Sequence, residues 1–241
     1  MRRSIQAVFI LWLMVCATEN GFLWAAMDAV RDGKPTAVVV VEASQPGANR
    51  QQRQRDSWDD ARAAAVLVDW VRKMTDAELP IVNSAPADGP AILIGSAAVR
   101  AGLKLEDIDS PSQEGLRVRL VGDRLLIAGQ SGAATARAVC RVLEHWGCRY
   151  CVDHPLGEVF PRTRNLRIEK FDLTEKPGFL YRSIWGSQWT AYSLWKVWNG
   201  AGGPPLGMQH AWGRYVSRDA FHKHPEYFAL RDGERRPGEW Y

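Results

Sequence analysis

The sequence predicts an α/β (α+β) fold, a mixed sheet with helices packed on it, and three features carry that reading. "TAVVVVEA" (36–43) is a continuous β-branched run, the mark of a buried strand. "GLRVRLVGDRLLIAG" (115–129) is a hairpin, with Leu116, Val118 and Leu120 alternating with Arg117 and Arg119. Its arms are adjacent and antiparallel, which excludes a purely parallel sheet. Two amphipathic segments, "WDDARAAAVLVDWVRKMT" (58–75) and "SGAATARAVCRVLEHWG" (131–147), supply helices to cover the sheet.

Taken in order, the chain opens on "MRRSIQAVFILWLMVCA". Two arginines precede an apolar run from Ala7 to Ala17, and small residues follow at Ala17, Ala25 and Ala26. That order predicts a secretory signal peptide over 1–26 and export to the periplasm or the outside. The run is too short to span a bilayer comfortably, and no other stretch is apolar for long enough. No stable membrane insertion is expected once the signal is removed. After the 36–43 strand and a polar loop, Ser57 or Asp59 caps the first helix, whose buried face is Ala63, Val66, Leu67, Trp70 and Val71. "LPIV" (79–82) and "AILIG" (91–95) are short strands flanking the turn-rich "NSAPADGP". In the hairpin, Gly122-Asp123 makes the turn, with Gly first as a type II′ turn prefers. The second helix follows, and "RYCV" (149–152) reads as a further strand.

Composition narrows the function classes. The 241 residues are 46% hydrophobic and 24% charged, with a net charge of +4, which is ordinary globular composition. The basic residues are scattered among acidic ones, so nucleic acid is not an expected partner. Gly129 and Gly132 do not make the dinucleotide fingerprint, because the third glycine and a parallel strand–turn–helix unit are missing. The phosphate-loop Lys-Ser/Thr pair is absent too. Gly129 is therefore a packing turn, Ser131 a helix cap, and no nucleotide is expected. Cys148-Arg-Tyr-Cys151 has redox spacing but follows a helix C-terminus, where the dipole opposes a thiolate. With Cys140 these thiols read as buried groups or one disulfide. His145 and His154 are out of register for zinc, and no cofactor is expected.

"WVRKMTDAELPIV", "ILIGSAAVRAGL" and "EGLRVRLVGDRLLIAGQSGAATARAVCRVLEHWGCRYCVDHPLGEVFP" together resemble the N-terminal domain of family-67 alpha-glucuronidases. They also resemble the domain that precedes the barrel in beta-N-acetylhexosaminidases, and they are most similar to secreted bacterial proteins that join such a domain to a presumed glycosidase barrel. "KPGFLYRSIW", "WKVWN", "MQHAWGRYV" and "HPEYFALRDGERR" follow in the order of that group, so the likeness runs over about residues 55–236. It implies an alpha-glucuronidase-like, hexosaminidase domain-2-like α/β domain over 34–175. It further implies the start of an incomplete (β/α)8 barrel over 176–241, with "FLYRSIW" (179–185) as the first barrel strand. Barrel active sites lie at the C-terminal ends of the strands, which would bring Arg182 and Trp185 near a sugar and lay "QHAW" over the same face.

A full barrel takes about 250 residues, and glycoside hydrolysis needs two flanking carboxylates. In the related families those come from later strands. Glu226 and Asp232, in "HPEYFALRDG", read as surface and turn groups. The chain is thus expected to be inactive alone. The tail is rich in tryptophan, holding six of the eleven. Trp185, Trp198 and Trp212, with Arg182, Asn199 and His210, form the mixture of flat aromatics and polar tips that a sugar subsite uses. Arg182 could pair with a uronate carboxylate or a structural one. Trp189, Trp195 and Trp198 could equally be the core face of a short helix, and His210 a loop residue with a local hydrogen bond. Two functions result: the N-terminal portion of a secreted glycoside hydrolase acting on an oligosaccharide or polysaccharide, or a stand-alone carbohydrate-binding or scaffold domain.

Overall fold

The computed structural model describes residues 26–42, 58–183, 194–204 and 215–236. The chain divides into two compact units, 1–203 and 204–241. The expected signal segment lies outside the described residues, apart from Ala26.

The first unit is a mixed α/β structure, as expected, and its main sheet has six strands in the order β11-β6-β7-β5-β3-β4. These are β3 (Val38–Val40), β4 (Ile81–Val82), β5 (Ala91–Ile94), β6 (Leu116–Val121), β7 (Arg124–Gly129) and β11 (Asp172–Glu175). β4, β3, β5 and β7 are parallel neighbours; β6 runs against β7, and β11 against β6. The hairpin pairs Leu116 with Gly129 and Val121 with Arg124, and Gly122 takes φ +60° at the first turn position, as a type II′ turn requires. "TAVVVVEA" is reduced to three strand residues, although Ala37, Val39, Val40 and Val41 are all buried.

Helix α1 (Asp60–Thr75) is capped by Asp59, whose side chain accepts from the Arg62 amide at 2.8 Å. It buries Ala63, Leu67, Trp70 and Val71 of the expected face, with Ala64 and Met74 added and Val66 half-buried at its edge. A short helix α2 (Ser96–Arg100) follows β5. Helix α3 (Gly132–His145) is capped by Ser131 and lies beside α1 on one face of the sheet. Its alanines, Ala134, Ala136 and Ala138, let it approach closely; all three are buried. The core on that face runs from Val39 through Leu67, Ile92, Ile127, Val139 and Leu143. The opposite face carries a smaller cluster of Val40, Leu93 and Leu126 under Ala97, Ala98 and Leu103.

Two small antiparallel sheets complete the unit. β1 (Met27–Arg31) pairs with β2 (Lys34–Pro35) and with β10 (Leu166–Ile168), tying the start of the described chain to residue 168. β8 (Arg149–Tyr150) pairs with β9 (Glu158–Val159), so the "RYCV" strand is a two-residue ribbon outside the main sheet. The second unit holds two 3₁₀ turns, Arg218–His222 and Pro225–Tyr227, and a two-residue hairpin closed by Asp232 and Gly233. Asp232 (φ +51°) and Gly233 (φ +83°) both have the positive φ of a type I′ turn.

Candidate functional site

The carboxyl ends of parallel strands are the usual ligand crevice of an open α/β sheet, because helix N-termini gather there. In this protein those donors are met from within. After β5, the Ser96 amide and hydroxyl both donate to the Asp60 carboxylate, at 2.9 and 2.8 Å. Gly95, at φ +61°, is required because a Cβ there would overlap that carboxylate. After β7, Ser131 Oγ accepts from the Ala134 amide at 3.3 Å. A Cβ on Gly129 would strike Ala134, and one on Gly132 would overlap the Trp58 carbonyl. The Gly-rich turn of 129–132 is a packing turn, as its sequence suggests.

A cavity of about 230 Å³ opens at the start of α3. Its lining includes Glu114, Arg137, Glu175, Lys176, Arg182 and Asn199. Two of the expected sugar-contacting residues, Arg182 and Asn199, therefore share one site. Trp185, His210 and Trp212, the other three, lie outside the described residues. Within the segment read as a first barrel strand, 179–183 is described and carries a single antiparallel bridge, Arg182 with Gly202.

The polar groups of this cavity are met by the protein's own partners. Arg182 donates from Nη2 to Glu114 Oε2 at 2.6 Å, from Nε to the Gly200 carbonyl at 2.8 Å, and from Nη1 to the Phe179 carbonyl. Arg137 donates to Glu175 Oε1 at 2.7 Å, and at 3.3 and 3.4 Å to the Val197 and Trp198 carbonyls that end helix α4 (Leu194–Trp198). Arg141 adds a second fork to Glu175, from Nε to Oε2 at 2.8 Å and from Nη2 to Oε1 at 2.9 Å. Burial pushes the Glu175 carboxyl up, but the two guanidiniums outweigh it and hold it below the usual carboxylate range. The Lys176 ammonium donates to the Asp109 carbonyl at 2.7 Å. The Asn199 amide donates to the carbonyls of Tyr150 and Trp195, at 3.0 and 2.9 Å.

Trp198 resolves one open alternative. It is 3% exposed and packs on Trp70 with ring centroids 4.5 Å apart, with Tyr150 edge-on at 6.1 Å. It is a core residue, and α4 is the short helix that presents it. Its indole Nε1 and that of Trp195 are buried without an acceptor. An unpaired buried donor of this kind costs about 1–3 kcal/mol.

Glu226 is exposed and sits 3.0 Å from His224 Nδ1. Its own backbone amide and then His224 hold its carboxyl below the ordinary value. Asp232 is the hairpin turn residue. Cys140 and Cys148 are buried free thiols and Cys151 is an exposed one. Burial pushes the Cys148 thiol up to about 12, far from what redox exchange needs. No group of His, Cys, Asp and Glu among the described residues could hold a metal ion. Sequence reading missed Glu114 and Glu175, the two carboxylates of the cavity. Glu114 had one usable signal, its place just before the β6 hairpin; Glu175 sits in a charged stretch that gives no strand periodicity.

No protein-family model matches the chain, and no curated protein matches it. A solved structure that it resembles is described as a novel family GH115 4-O-methyl-alpha-glucuronidase with specificity for decorated arabinogalactans. The identity is 16% and the TM-score 0.41, over 64% of this chain and 19% of that one. The chain thus spans less than a fifth of that protein's length. No helix among the described residues is long and apolar enough to cross a membrane.

Proposed function

We propose that this chain provides the non-catalytic α/β domain of a secreted glycoside hydrolase of the alpha-glucuronidase or hexosaminidase type, active in the breakdown of oligosaccharide or polysaccharide. The observation that carries the non-catalytic part is the state of the cavity carboxylates. Glu114 is paired with Arg182, and Glu175 is shared by Arg137 and Arg141. Glycoside hydrolysis asks one carboxyl to hold a proton and another to be free to act as base or nucleophile. Neither group is free to do so, since each is neutralised in place by an arginine. The ordered sequence likeness supports the glycosidase part. It also supports a barrel beginning within 176–241 that would bring the reacting carboxylates from later strands. Export through the 1–26 segment belongs to the same reading.

The test is an activity comparison between this 241-residue chain and the longest natural product from its source, using aryl alpha-glucuronides and aryl N-acetyl-beta-hexosaminides. Activity confined to a longer product supports the proposal, whereas turnover by the 241-residue chain itself overturns it. The intact mass of the exported protein shows which product exists and where the signal is cut. A second reading, a stand-alone carbohydrate-binding domain, draws on one observation. Tyr227 is 58% exposed and stacks flat on His224 at 4.8 Å, the kind of aromatic surface that a sugar face covers. Tyrosine fluorescence or chemical-shift changes at Tyr227 with added oligosaccharide would favour it.

A further inference from the structure

Residues 177–183 and 194–203 are held to the α/β domain differently from the strands and helices beneath them. One carboxylate grips both stretches: Glu114 Oε2 accepts from Arg182 at 2.6 Å and Oε1 from the Gly203 amide at 3.2 Å. Arg182 and Gly202 exchange backbone hydrogen bonds in both directions, at 2.9 and 2.8 Å. The glycines of "NGAGG" (199–203) make this closeness possible. A Cβ on Gly200 would overlap Arg137, one on Gly202 would overlap Glu114, and one on Gly203 would overlap the Leu180 carbonyl. The apolar anchor is one short stretch, with Val197 and Trp198 buried and Leu194 half-buried beside them. Helix α4 has five residues, too few to be stable by itself. Against the closed arrangement stand the Trp195 and Trp198 indole N–H groups, buried without acceptors.

We propose that these two stretches form a latch that opens as a unit of its own while the six-stranded sheet stays folded. Polar clasps of this kind exchange readily for water, the apolar anchor comes from a single five-residue helix, and opening hydrates the two unpaired indole donors. Opening also releases the Arg182 guanidinium and the Asn199 amide and uncovers Trp70 and Tyr150, on which Trp198 packs. In the closed form all of these groups are spent on protein partners; in the open form they face solvent together. The latch goes beyond the proposed function and does not depend on it, since its readout needs no sugar and no activity.

Native-state hydrogen exchange on the full chain, followed residue by residue by NMR at low denaturant, tests it. The amides of Arg182, Gly200, Ala201 and Gly202 are bonded within the latch, that of Gly203 to its clasp on Glu114, and those of Val39, Gly95 and Leu120 within the sheet. The latch amides are expected to exchange at least about tenfold faster than the sheet amides, with little dependence on denaturant. Glu114→Gln should speed the latch amides about tenfold further and change the sheet amides less than about twofold. Arg182→Lys, which keeps the charge and loses the fork, should show the same split. Equal rates and equal denaturant slopes for the two sets in the unaltered protein would overturn the proposal. So would a variant that accelerates both sets alike, or neither.

Discussion

Two glycine-bearing turns of this protein, 129–132 and 199–203, look alike as sequence and are built for opposite surroundings. The first lies between β7 and α3, and its glycines make room for apolar atoms and backbone: Ala134, Thr135 and the Trp58 carbonyl. The second follows α4, where Gly200 and Gly202 make room for charge, the Arg137 guanidinium and the Glu114 carboxylate, while Gly203 makes room for the Leu180 carbonyl. One lets a helix dock on a sheet, where the neighbours at Gly129 and Gly132 are mostly backbone and cannot give. The other lets an ion pair close over a chain crossing, where flexible side-chain ends can move aside. A glycine-rich turn thus says that something approaches closely, and only the neighbour says what.

The largest effect that separates them is expected at Gly132→Ala. The added Cβ meets a backbone carbonyl that cannot rotate away, so the variant should lose about 3 kcal/mol or more in urea unfolding followed by circular dichroism. Gly202→Ala also overlaps a neighbour, but that neighbour is the far end of Glu114. It should cost about 1–2 kcal/mol and leave the sheet's exchange protection intact. If both variants cost the same, the distinction between a packed turn and a clasped one fails.

Glu175→Gln comes next. It leaves Arg137 and Arg141 half-buried beside a neutral amide, a loss of about 1–2 kcal/mol near neutral pH once solvent screening is allowed for. The pH dependence is the sharper measure. Because the folded carboxyl lies below its unfolded value, its contribution is complete above the ordinary glutamate pKa near 4.5. That contribution is lost as the pH falls through the lower folded value. The unaltered protein should therefore lose this part of its melting temperature below about pH 4.5, and the Gln variant should lack that part of the decline. The smallest effect is expected at Asn199→Ala, which removes two amide bonds to carbonyls at the latch, about 0.5–1.5 kcal/mol in the same unfolding assay. A loss as large as that of Gly132→Ala would mean that the latch unfolds together with the sheet rather than on its own.

A last comparison sets Cys148 against Cys151, three positions apart in chain and opposite in exposure. With a thiol reagent at pH 8, Cys151 should label in the folded protein, while Cys148 and Cys140 label only on unfolding. Mass spectrometry of the native adduct reads this directly. Labelling of Cys148 in the native state would mean that α1 and the β8 ribbon part easily, since the thiol lies against Met74 at 3.3 Å.

Much of the first unit was legible before any coordinates, because its strongest elements carry their own periodicity. The hairpin 116–129, the two long helices with their Asp59 and Ser131 caps, and the Gly122 turn each need only neighbours in sequence. The strands β1, β10 and β11 were not legible. Each is short, and the charged ends of β11 have partners far off in the chain: Asp172 pairs with Arg119 at 3.2 Å and Glu175 with Arg137 and Arg141. The continuous β-branched run was legible as buried but not as a strand of only three residues.

The site divides in the same way. Arg182 and Asn199 were visible as residues of the right type in a tryptophan-rich tail, and the resemblance to glycosidases gave them a role. What they bond to was invisible, because a local sequence cannot say that Glu114 arrives from a loop before β6 or that Tyr150 offers its carbonyl. Local pattern by itself determined the helices, the hairpin and the mixed character of the sheet, since hydrogen bonds and apolar faces there repeat along the chain. Tertiary structure alone decided that Trp198 belongs to the core, that the cavity's carboxylates are neutralised by arginines, and that two glycine turns serve unlike ends. Those outcomes depend on atoms brought together from distant positions, where the gain or loss is set by who the neighbour is.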